Sequence, residues 1–155
     1  MITFKFVIIT MEDKDIRWTQ RFSNYRKALA KLSAAVVNED VDSYSDLEKE
    51  GLVKRFEYTY ELAWKTLQDF LREKGYPDIA GPTPVIQQAF QDGYIKNGTD
   101  WMSMKKSREI TTHTYDEDAV NDIVEKIIEV YYNLLKELEM RLDAERGGKQ
   151  NPLFG

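Results

Sequence analysis

Apolar side chains recur at spacings of three and four residues over three long stretches of the chain, which is the period of an amphipathic α-helix. The first stretch runs from about Asp15 to Val36, and its apolar face consists of Trp18, Phe22, Tyr25, Leu29, Leu32 and Val36. The second begins after Ser45 and ends near Lys74, with an inner face of Phe56, Tyr60, Ala63, Leu67 and Phe70. The third lies between Thr114 and Gly147-Gly148, with an inner face of Val120, Ile123, Ile127, Tyr131, Leu134, Leu138 and Leu142. We therefore predict three long helices.

Capping signals mark where two of these helices begin. Ser45 with Glu48, and Thr114 with Glu117, each follow the spacing in which two side chains satisfy free amides of the first helical turn. Gly75 follows the second helix in the position of a C-terminal cap. The glycine pair near the end of the chain predicts that the last helix stops there.

Two shorter helices are predicted between the second and third long ones. Residues 75–83 contain two prolines and two glycines, which predicts a loop. Thr83 and Pro84 form an N-cap and first-turn pair, so a short helix should run from Pro84 to Asp92. Another helix should begin near Asp100. Short connections between helices are typical of an antiparallel bundle, so we predict an all-α protein of this kind.

The first ten residues follow a different pattern, because apolar and polar positions alternate as they do in a β-strand. The alternating apolar residues are Ile2, Phe4, Phe6 and Ile8. No second strand is predicted, and a lone strand leaves its backbone groups unsatisfied. We expect either a tail packed on the bundle or a strand formed only with another chain. The chain thus divides into an N-terminal extension (1–12), a helical bundle (13–145) and a C-terminal tail (146–155).

Composition narrows the class of protein. A length of 155 residues suits one domain, and the absence of cysteine excludes a thiolate nucleophile, a disulfide framework and a cysteine zinc site. The net charge of −5 argues against general nucleic-acid binding through a basic face, although a local basic patch stays open. No stretch approaches the ~18 apolar residues of a membrane span. The apolar opening lacks the cleavage site of a signal peptide, so we expect a cytoplasmic protein without a membrane partner.

The segment that can carry chemistry is KKSREITTHTYDE, residues 105–117, which contains the single histidine of the chain. Arg108 continues the inward face of the fourth helix, where Trp101 and Met104 point inward. An inward guanidinium needs a partner or a cleft, because burying an unpaired charge is costly. In an unbroken helix, His113 would lie ~140° around the axis from Arg108.

A break in the helix would change that geometry. Thr111 and Thr112 are β-branched, and the capping box at Thr114 restarts a helix just afterwards. We therefore predict that helix is interrupted between Ile110 and Asp116. The interruption would bring Arg108, His113 and Tyr115 together at the mouth of the bundle.

The residues alone also allow a structural role for this segment. A histidine beside a helix N-cap is commonly a hydrogen-bonding group. An arginine near a helix C-terminus interacts favourably with the macrodipole by ~0.3–1 kcal/mol, and Lys105 and Lys106 suit the same role.

A second candidate set is Glu57, Glu61 and Lys65, spaced by four on the second long helix. For Glu57 we expect a solvated salt-bridge ladder, which contributes ~0.2–0.5 kcal/mol per pair. Glu61 and Lys65 flank Tyr60 and Trp64, and this places them at the edge of a groove.

Other mechanisms find little support in the sequence. The chain contains neither the GxxxxGK[ST] phosphate loop nor GxGxxG, so we expect no cofactor. With one histidine, we expect no metal site. Ser103 and Ser107 lack the neighbours that would activate a nucleophile.

Arg108, His113 and Tyr115 form the pattern R-x4-H-x-Y, which resembles the signature of the HEPN superfamily. Three longer segments are similar to the nucleotidyltransferase substrate-binding protein family, and the likeness covers about residues 13–143. These segments are IRWTQRFSNYRKAL (16–29), FEYTYELAWKTLQDFLREKG (56–75) and REITTHTYDE (108–117). The resemblance implies an up-and-down four-helix bundle with an added short helix, a homodimer, and a separate minimal nucleotidyltransferase chain as partner.

The resemblance also implies a role. The bundle is similar to the C-terminal domain of kanamycin nucleotidyltransferase, in which a bundle contributes to substrate binding beside the catalytic chain. Arg108 would bind a phosphate or carboxylate of a nucleotide or small acceptor, a task suited to its planar fork of donors. His113 and Tyr115 would line the pocket. Further lining residues would be Lys105, Lys106, Glu61 and Lys65.

Relatives in the superfamily imply an alternative, a metal-independent ribonuclease toxin of a toxin–antitoxin pair. In that case His113 is the general base on a 2′-hydroxyl and Arg108 stabilises the phosphorane, while Lys105 and Lys106 guide the RNA backbone. The nucleotidyltransferase partner would silence the toxin by adenylylating Tyr115. The family commonly has a small polar amide after the motif arginine, but this chain has Glu109. A carboxylate there can pair with the arginine and repels RNA phosphate, which disfavours ribonuclease activity.

Overall fold

The computed structural model is all-α over the part of the chain that it describes, which is the backbone of residues 2–113 and 116–150 and the side chains of residues 17–111 and 116–147. This confirms the predicted fold class. The elements are α1 (Ile2–Ala35), a 3-10 turn (Val41–Ser43), α2 (Asp46–Glu73), α3 (Pro82–Gln91), α4 (Gly98–His113), α5 (Glu117–Lys126), a π-helical segment (Ile127–Tyr131) and α6 (Tyr132–Gln150).

Four long helical stretches make up the bundle, and α3 is the additional short helix. These stretches are α1, α2, α4 and the run from α5 to α6, which stays helical through the π-helical segment. α2 is central, since it contacts α1, α3, α4 and α5. The predicted inner faces supply most of the core. Its largest fully buried side chains are Trp18, Trp101, Tyr25, Tyr60, Tyr131, Phe22, Phe56, Phe70, Leu32, Leu52, Leu67 and Leu71.

The start of α2 confirms its predicted capping box. Ser45 Oγ accepts a hydrogen bond from the Glu48 amide at 3.1 Å, and Glu48 Oε1 accepts one from the Ser45 amide at 2.8 Å. Hydrogen bonding to the Glu48 carboxyl, first from the Ser45 backbone amide and then from the Ser45 side chain, lowers its pKa because it favours the charged form. At the other end, Gly75 adopts φ 121°, the left-handed conformation expected of a residue that ends a helix.

The expectation of a tail or strand at residues 1–10 is wrong. The backbone is helical from Ile2 onward and continues without interruption into the rest of α1. This stretch contains neither glycine nor proline. Extending an existing helix adds one hydrogen bond for each residue that is fixed, whereas a lone strand would have no partner for its backbone.

Two other helix ends differ from those predicted. α3 begins at Pro82 rather than Pro84, because Gly81, at φ 90°, takes the N-cap position that had been given to Thr83. Pro82 then occupies the first helical position, where its missing amide costs nothing. The glycine pair 147–148 does not stop the last helix, since α6 continues to Gln150. A helical glycine costs ~1 kcal/mol relative to alanine, which weakens a helix without necessarily ending it.

Asp116 is extended, so α4 and α5 do not form one continuous helix, but the two threonines do not interrupt α4 as predicted. α4 runs through both threonines and ends at His113. Thr111 Oγ1 donates a hydrogen bond to the Arg108 carbonyl at 3.0 Å, which satisfies its hydroxyl inside the helix.

The restart of helix also lies later than predicted. Asp116, in an extended conformation, is the N-cap of α5, so the predicted box between Thr114 and Glu117 does not form the start of this helix. Thr114 itself lies outside the described residues. None of the described helices is both long and apolar enough to cross a membrane.

Candidate functional site

Arg108 faces α2, and this confirms that the inward face of α4 extends to it. Trp101 and Met104 are buried on the preceding turns. The Arg108 side chain is 29% exposed, with Nη1 3.8 Å from Glu57 Oε2 and Nε 3.5 Å from Glu61 Oε1. The inward guanidinium thus has carboxylate partners one helical turn apart on α2.

The prediction of a solvated position for Glu57 is wrong. Its side chain is only 13% exposed, because Arg108 of α4 covers the α2 surface on which it lies. Its Oε2 is also 3.9 Å from Lys54 Nζ. Helical periodicity identified the ladder on α2 but could not show that α4 packs against it.

Glu61 is 33% exposed and joins the same network on its outer side. Its carboxylate lies 3.8 Å from Lys65 Nζ and accepts a hydrogen bond from Trp64 Nε1 at 3.3 Å. Lys65 also lies 5.8 Å from the centre of the Trp64 ring. We refer to the ion-pair chain of these side chains as the Arg108 network. It contains Lys54, Glu57, Arg108, Glu61 and Lys65.

Glu109 does not form the pair with Arg108 that the sequence allowed. Consecutive residues on a helix point about 100° apart, so Glu109 turns instead toward the residue four positions earlier. Lys105 Nζ donates to Glu109 Oε1 at 2.6 Å. The negative charge expected beside the arginine therefore comes from α2, through Glu57 and Glu61.

Tyr60 lies on the α2 face between those glutamates and was predicted only as a core residue. It is 1% exposed, and its ring stacks on Phe56 with 6.2 Å between centres. Its hydroxyl is buried and has no hydrogen-bond partner in the described part of the chain. Burial raises the pKa of the phenol, and Glu61 and Glu109 raise it further while Arg108 opposes them. The hydroxyl therefore stays protonated at neutral pH and can donate a hydrogen bond.

A groove of about 450 Å³ runs between α2, the end of α4 and the start of α5, and meets the Arg108 network at Lys54 and Glu57. We call it the α2–α5 groove. Val53 and Val120 supply apolar surface. The polar lining residues are Asp46, Lys49, Glu50, Lys54, Glu57, Thr111, Glu117 and Asn121. Lys49 is buried, and Asn121 Oδ1 is a buried acceptor without a hydrogen-bond partner among the described residues. Ligand pockets commonly measure about 300–1,000 Å³, so this volume suits a small molecule.

Lys105 and Lys106 do not act as a pair. Lys105 is engaged with Glu109, whereas Lys106 is exposed and lines a different groove, of about 460 Å³, between α4 and α5. Their adjacent positions on one helix direct them to different sides.

A hydrogen-bond network that the sequence did not predict lies beside the site. The Tyr131 hydroxyl lies 2.8 Å from Ser103 Oγ and 2.8 Å from Ser107 Oγ, and its ring stacks on Phe56 with 5.2 Å between centres. Tyr131 ends the π-helical segment, an insertion of a kind often found near functional sites. Ser107 thus fixes α4 one residue before Arg108, and Ser103 fixes it one turn earlier. Their sequence spacing of four was the only available signal.

The structure tests the remaining predicted site residues only through the backbone of His113. α4 is helical through His113, so no interruption separates this residue from Arg108, and the backbone places it ~140° around the axis from Arg108. The His113 side chain and the whole of Tyr115 lie outside the described residues. Among the side chains that are described, no three carboxylate or imidazole groups converge as a metal site would require.

Comparison with known proteins identifies a family model, a curated protein and a solved structure that are similar to this chain. A family model described as "Nucleotidyltransferase substrate binding protein like" matches residues 20–144. The "Probable ribonuclease HepT" of Haemophilus influenzae is 28% identical over 81 residues, which are 50% of this chain and 56% of that protein. The chain thus matches little more than half the length of this curated relative. A crystal structure of a protein from Thermus thermophilus has a TM-score of 0.69 and 34% identity, over 76% of this chain and 98% of that one.

Proposed function

Because this chain belongs to the nucleotidyltransferase substrate-binding protein-like family, we propose that it is the substrate-binding subunit of a two-chain nucleotidyltransferase. In this proposal a separate minimal nucleotidyltransferase carries out catalysis. The bundle acts as a homodimer and binds the nucleotide or the small acceptor substrate beside that chain.

The observation that carries the proposal is the way Arg108 is held. Contacts to Glu57 and Glu61 orient the guanidinium before a ligand arrives, and 29% of the side chain stays exposed. A pre-oriented group loses less freedom on binding, which favours affinity. The planar fork of an arginine matches the oxygens of a phosphate or carboxylate.

The charges around the site are close to balanced. The Arg108 network and the adjoining Lys105–Glu109 pair together hold four cationic side chains and three carboxylates. The adjoining groove adds Lys49 and the carboxylates of Asp46, Glu50 and Glu117, so in the proposal the anion is held by Arg108 itself. The α2–α5 groove can hold the rest of a nucleotide-sized ligand, with Thr111 and Asn121 as polar contacts. In the proposal, His113 and Tyr115 also contact the ligand, with His113 on a different side of the α4 axis from Arg108.

We expect the partner chain to be encoded by a neighbouring gene, and the test is calorimetric titration of ATP into this chain purified with that nucleotidyltransferase. The Arg108→Gln variant should bind at least about tenfold more weakly, since hydrogen bonds to charged groups contribute about 1.5–3 kcal/mol. Arg26→Gln is the matched control. Arg26 also contacts two carboxylates, at 3.6 and 3.5 Å, but on the α1–α6 side of the bundle. Equal losses in both variants would contradict a site at Arg108.

A ribonuclease is the second candidate, favoured by the identity with the probable ribonuclease from Haemophilus influenzae. Here Arg108 would stabilise the phosphorane and His113 would act as general base. An RNA phosphate would meet the same Glu57 and Glu61 carboxylates as a nucleotide phosphate, so the contacts of Arg108 do not separate the two candidates.

The two candidates differ in measurable ways. A ribonuclease cleaves single-stranded RNA without metal, and both Arg108→Gln and His113→Gln abolish the cleavage. Silencing would appear as an added adenylyl mass on the wild type, but not on Tyr115→Phe, after incubation with the partner and ATP. A binding subunit shows no cleavage in any of these proteins.

A further inference from the structure

We propose that Tyr60 is a ligand-binding residue, whose hydroxyl donates a hydrogen bond to an anionic oxygen that Arg108 also contacts. The inference rests on the proposed function and adds a second donor to the same site. It assigns a binding role to a side chain that the sequence pattern places only in the core.

The first ground is the unsatisfied hydroxyl. Tyr60 Oη is buried and has no hydrogen-bond partner in the described part of the chain. Native proteins pair nearly all their buried polar groups, because an unpaired one destabilises the fold. Phenylalanine would fill the same space against Phe56 without that cost. Other core tyrosines do have partners, as when the Tyr25 hydroxyl donates to the Leu135 carbonyl.

The second ground is position. Tyr60 follows Glu57 by three residues and precedes Glu61, so all three share the α2 face that Arg108 covers. The charged groups that act on the phenol are Glu61, Glu109 and Arg108. The hydroxyl therefore lies on the α2 side that faces α4, close enough to the Arg108 network to feel the charges of Glu61 and Arg108.

The third ground is the kind of acceptor that the unpaired hydroxyl requires. The phenol keeps its proton at neutral pH, so it offers a donor to an acceptor of negative charge. The nearby carboxylates already have other partners. Glu61 contacts Trp64 and Lys65, and Glu57 contacts Lys54. A phosphoryl oxygen of a nucleotide meets the requirement, because it accepts from Arg108 and Tyr60 at once.

Binding then requires a local rearrangement. Tyr60 Oη is closed to solvent, whereas the Glu61 side chain is 33% exposed. The Arg108–Glu61 contact of 3.5 Å is long for a charge-assisted hydrogen bond, which typically measures about 2.7–2.9 Å. The ligand oxygen takes the place of the Glu61 carboxylate on Arg108, and Glu61 stays with Lys65. This exchange exposes the phenol hydroxyl to the ligand.

The experiment compares Tyr60→Phe with Tyr25→Phe in the complex with the neighbouring nucleotidyltransferase. Affinity for ATP is measured by calorimetry, and stability of the chain alone by urea unfolding. Tyr60→Phe should bind ATP about tenfold more weakly and should unfold at the same or a higher urea concentration than the wild type. Tyr25→Phe should unfold at a lower concentration and bind ATP as the wild type does.

Three results would overturn the inference, and they are distinguishable. Wild-type affinity in Tyr60→Phe, together with lost binding in Arg108→Gln, refutes the role of Tyr60 and leaves the proposed function standing. Destabilisation of Tyr60→Phe to the extent seen in Tyr25→Phe shows that the hydroxyl is already satisfied in the folded chain. Absence of ATP binding in the wild-type complex refutes the proposed function, and the inference with it.

Discussion

Replacing Tyr131 with phenylalanine tests whether its hydroxyl fixes α4 against the π-helical segment. The change removes contacts of 2.8 Å to Ser103 and Ser107 and leaves the ring on Phe56. A typical hydrogen bond contributes about 0.5–1.5 kcal/mol. Two bonds are lost and Ser107 is buried, so we expect the free energy of unfolding to fall by about 1–3 kcal/mol.

The assay is urea unfolding followed by circular dichroism, in which a lower midpoint with an unchanged slope reports stability alone. The triple variant Tyr131→Phe, Ser103→Ala, Ser107→Ala supplies the decisive comparison. Removing both sides of a buried hydrogen bond is far less costly than removing one side. The triple variant should therefore regain stability relative to Tyr131→Phe. Progressive loss as each hydroxyl is removed would refute the reasoning, since the serines would then stabilise the fold through other contacts.

Two further predictions concern stability outside the site. Glu48→Gln should lower the stability of the fold at neutral pH, because the pKa of Glu48 lies below its ordinary 4.5 in the folded state. The difference in stability between variant and wild type should be complete above pH 4.5 and should disappear as the pH falls through the lowered pKa. Thermal unfolding from about pH 7 to pH 3 measures this difference. A pH-independent difference would contradict this assignment. Arg21→Gln should lower the free energy of unfolding, because it leaves the buried Asp69 carboxylate without its partner at 3.1 Å. The arginine is about one-third exposed and solvent weakens the pair, so we expect a loss of only about 1–2 kcal/mol. Arg21→Gln with Asp69→Asn should recover part of this loss in urea unfolding, and a purely additive double variant would argue against the pair.

The sequence predicted those parts of the fold that depend on local periodicity. The apolar faces of α1 and α2 and the Ser45–Glu48 box follow from residues within a few positions of each other. The inward direction of Arg108 followed from the same argument. Helix ends were less predictable, as α1 extends back to Ile2 because nothing in its sequence stops a growing helix.

The site itself depends on contacts between helices, and these were not predictable from spacing. Glu57 is mostly buried only because α4 crosses over it, and Arg108 contacts Glu57 and Glu61 only because α4 packs on α2. The Tyr131 network depends on a π-helical segment, whose pattern differs little from that of an α-helix over five residues. The relation between Arg108 and His113 was misjudged because the helix continues past the threonines.

The central claim is that this chain contributes substrate binding to a separate nucleotidyltransferase. The most direct test is titration of ATP into each purified chain alone and into their equimolar mixture, with the mixture repeated using Arg108→Gln. We predict a complex that binds ATP at least about tenfold more tightly than either chain, and loss of that gain in the Arg108 variant. A mixture that binds ATP only as the separate chains do, with or without Arg108, would contradict the claim.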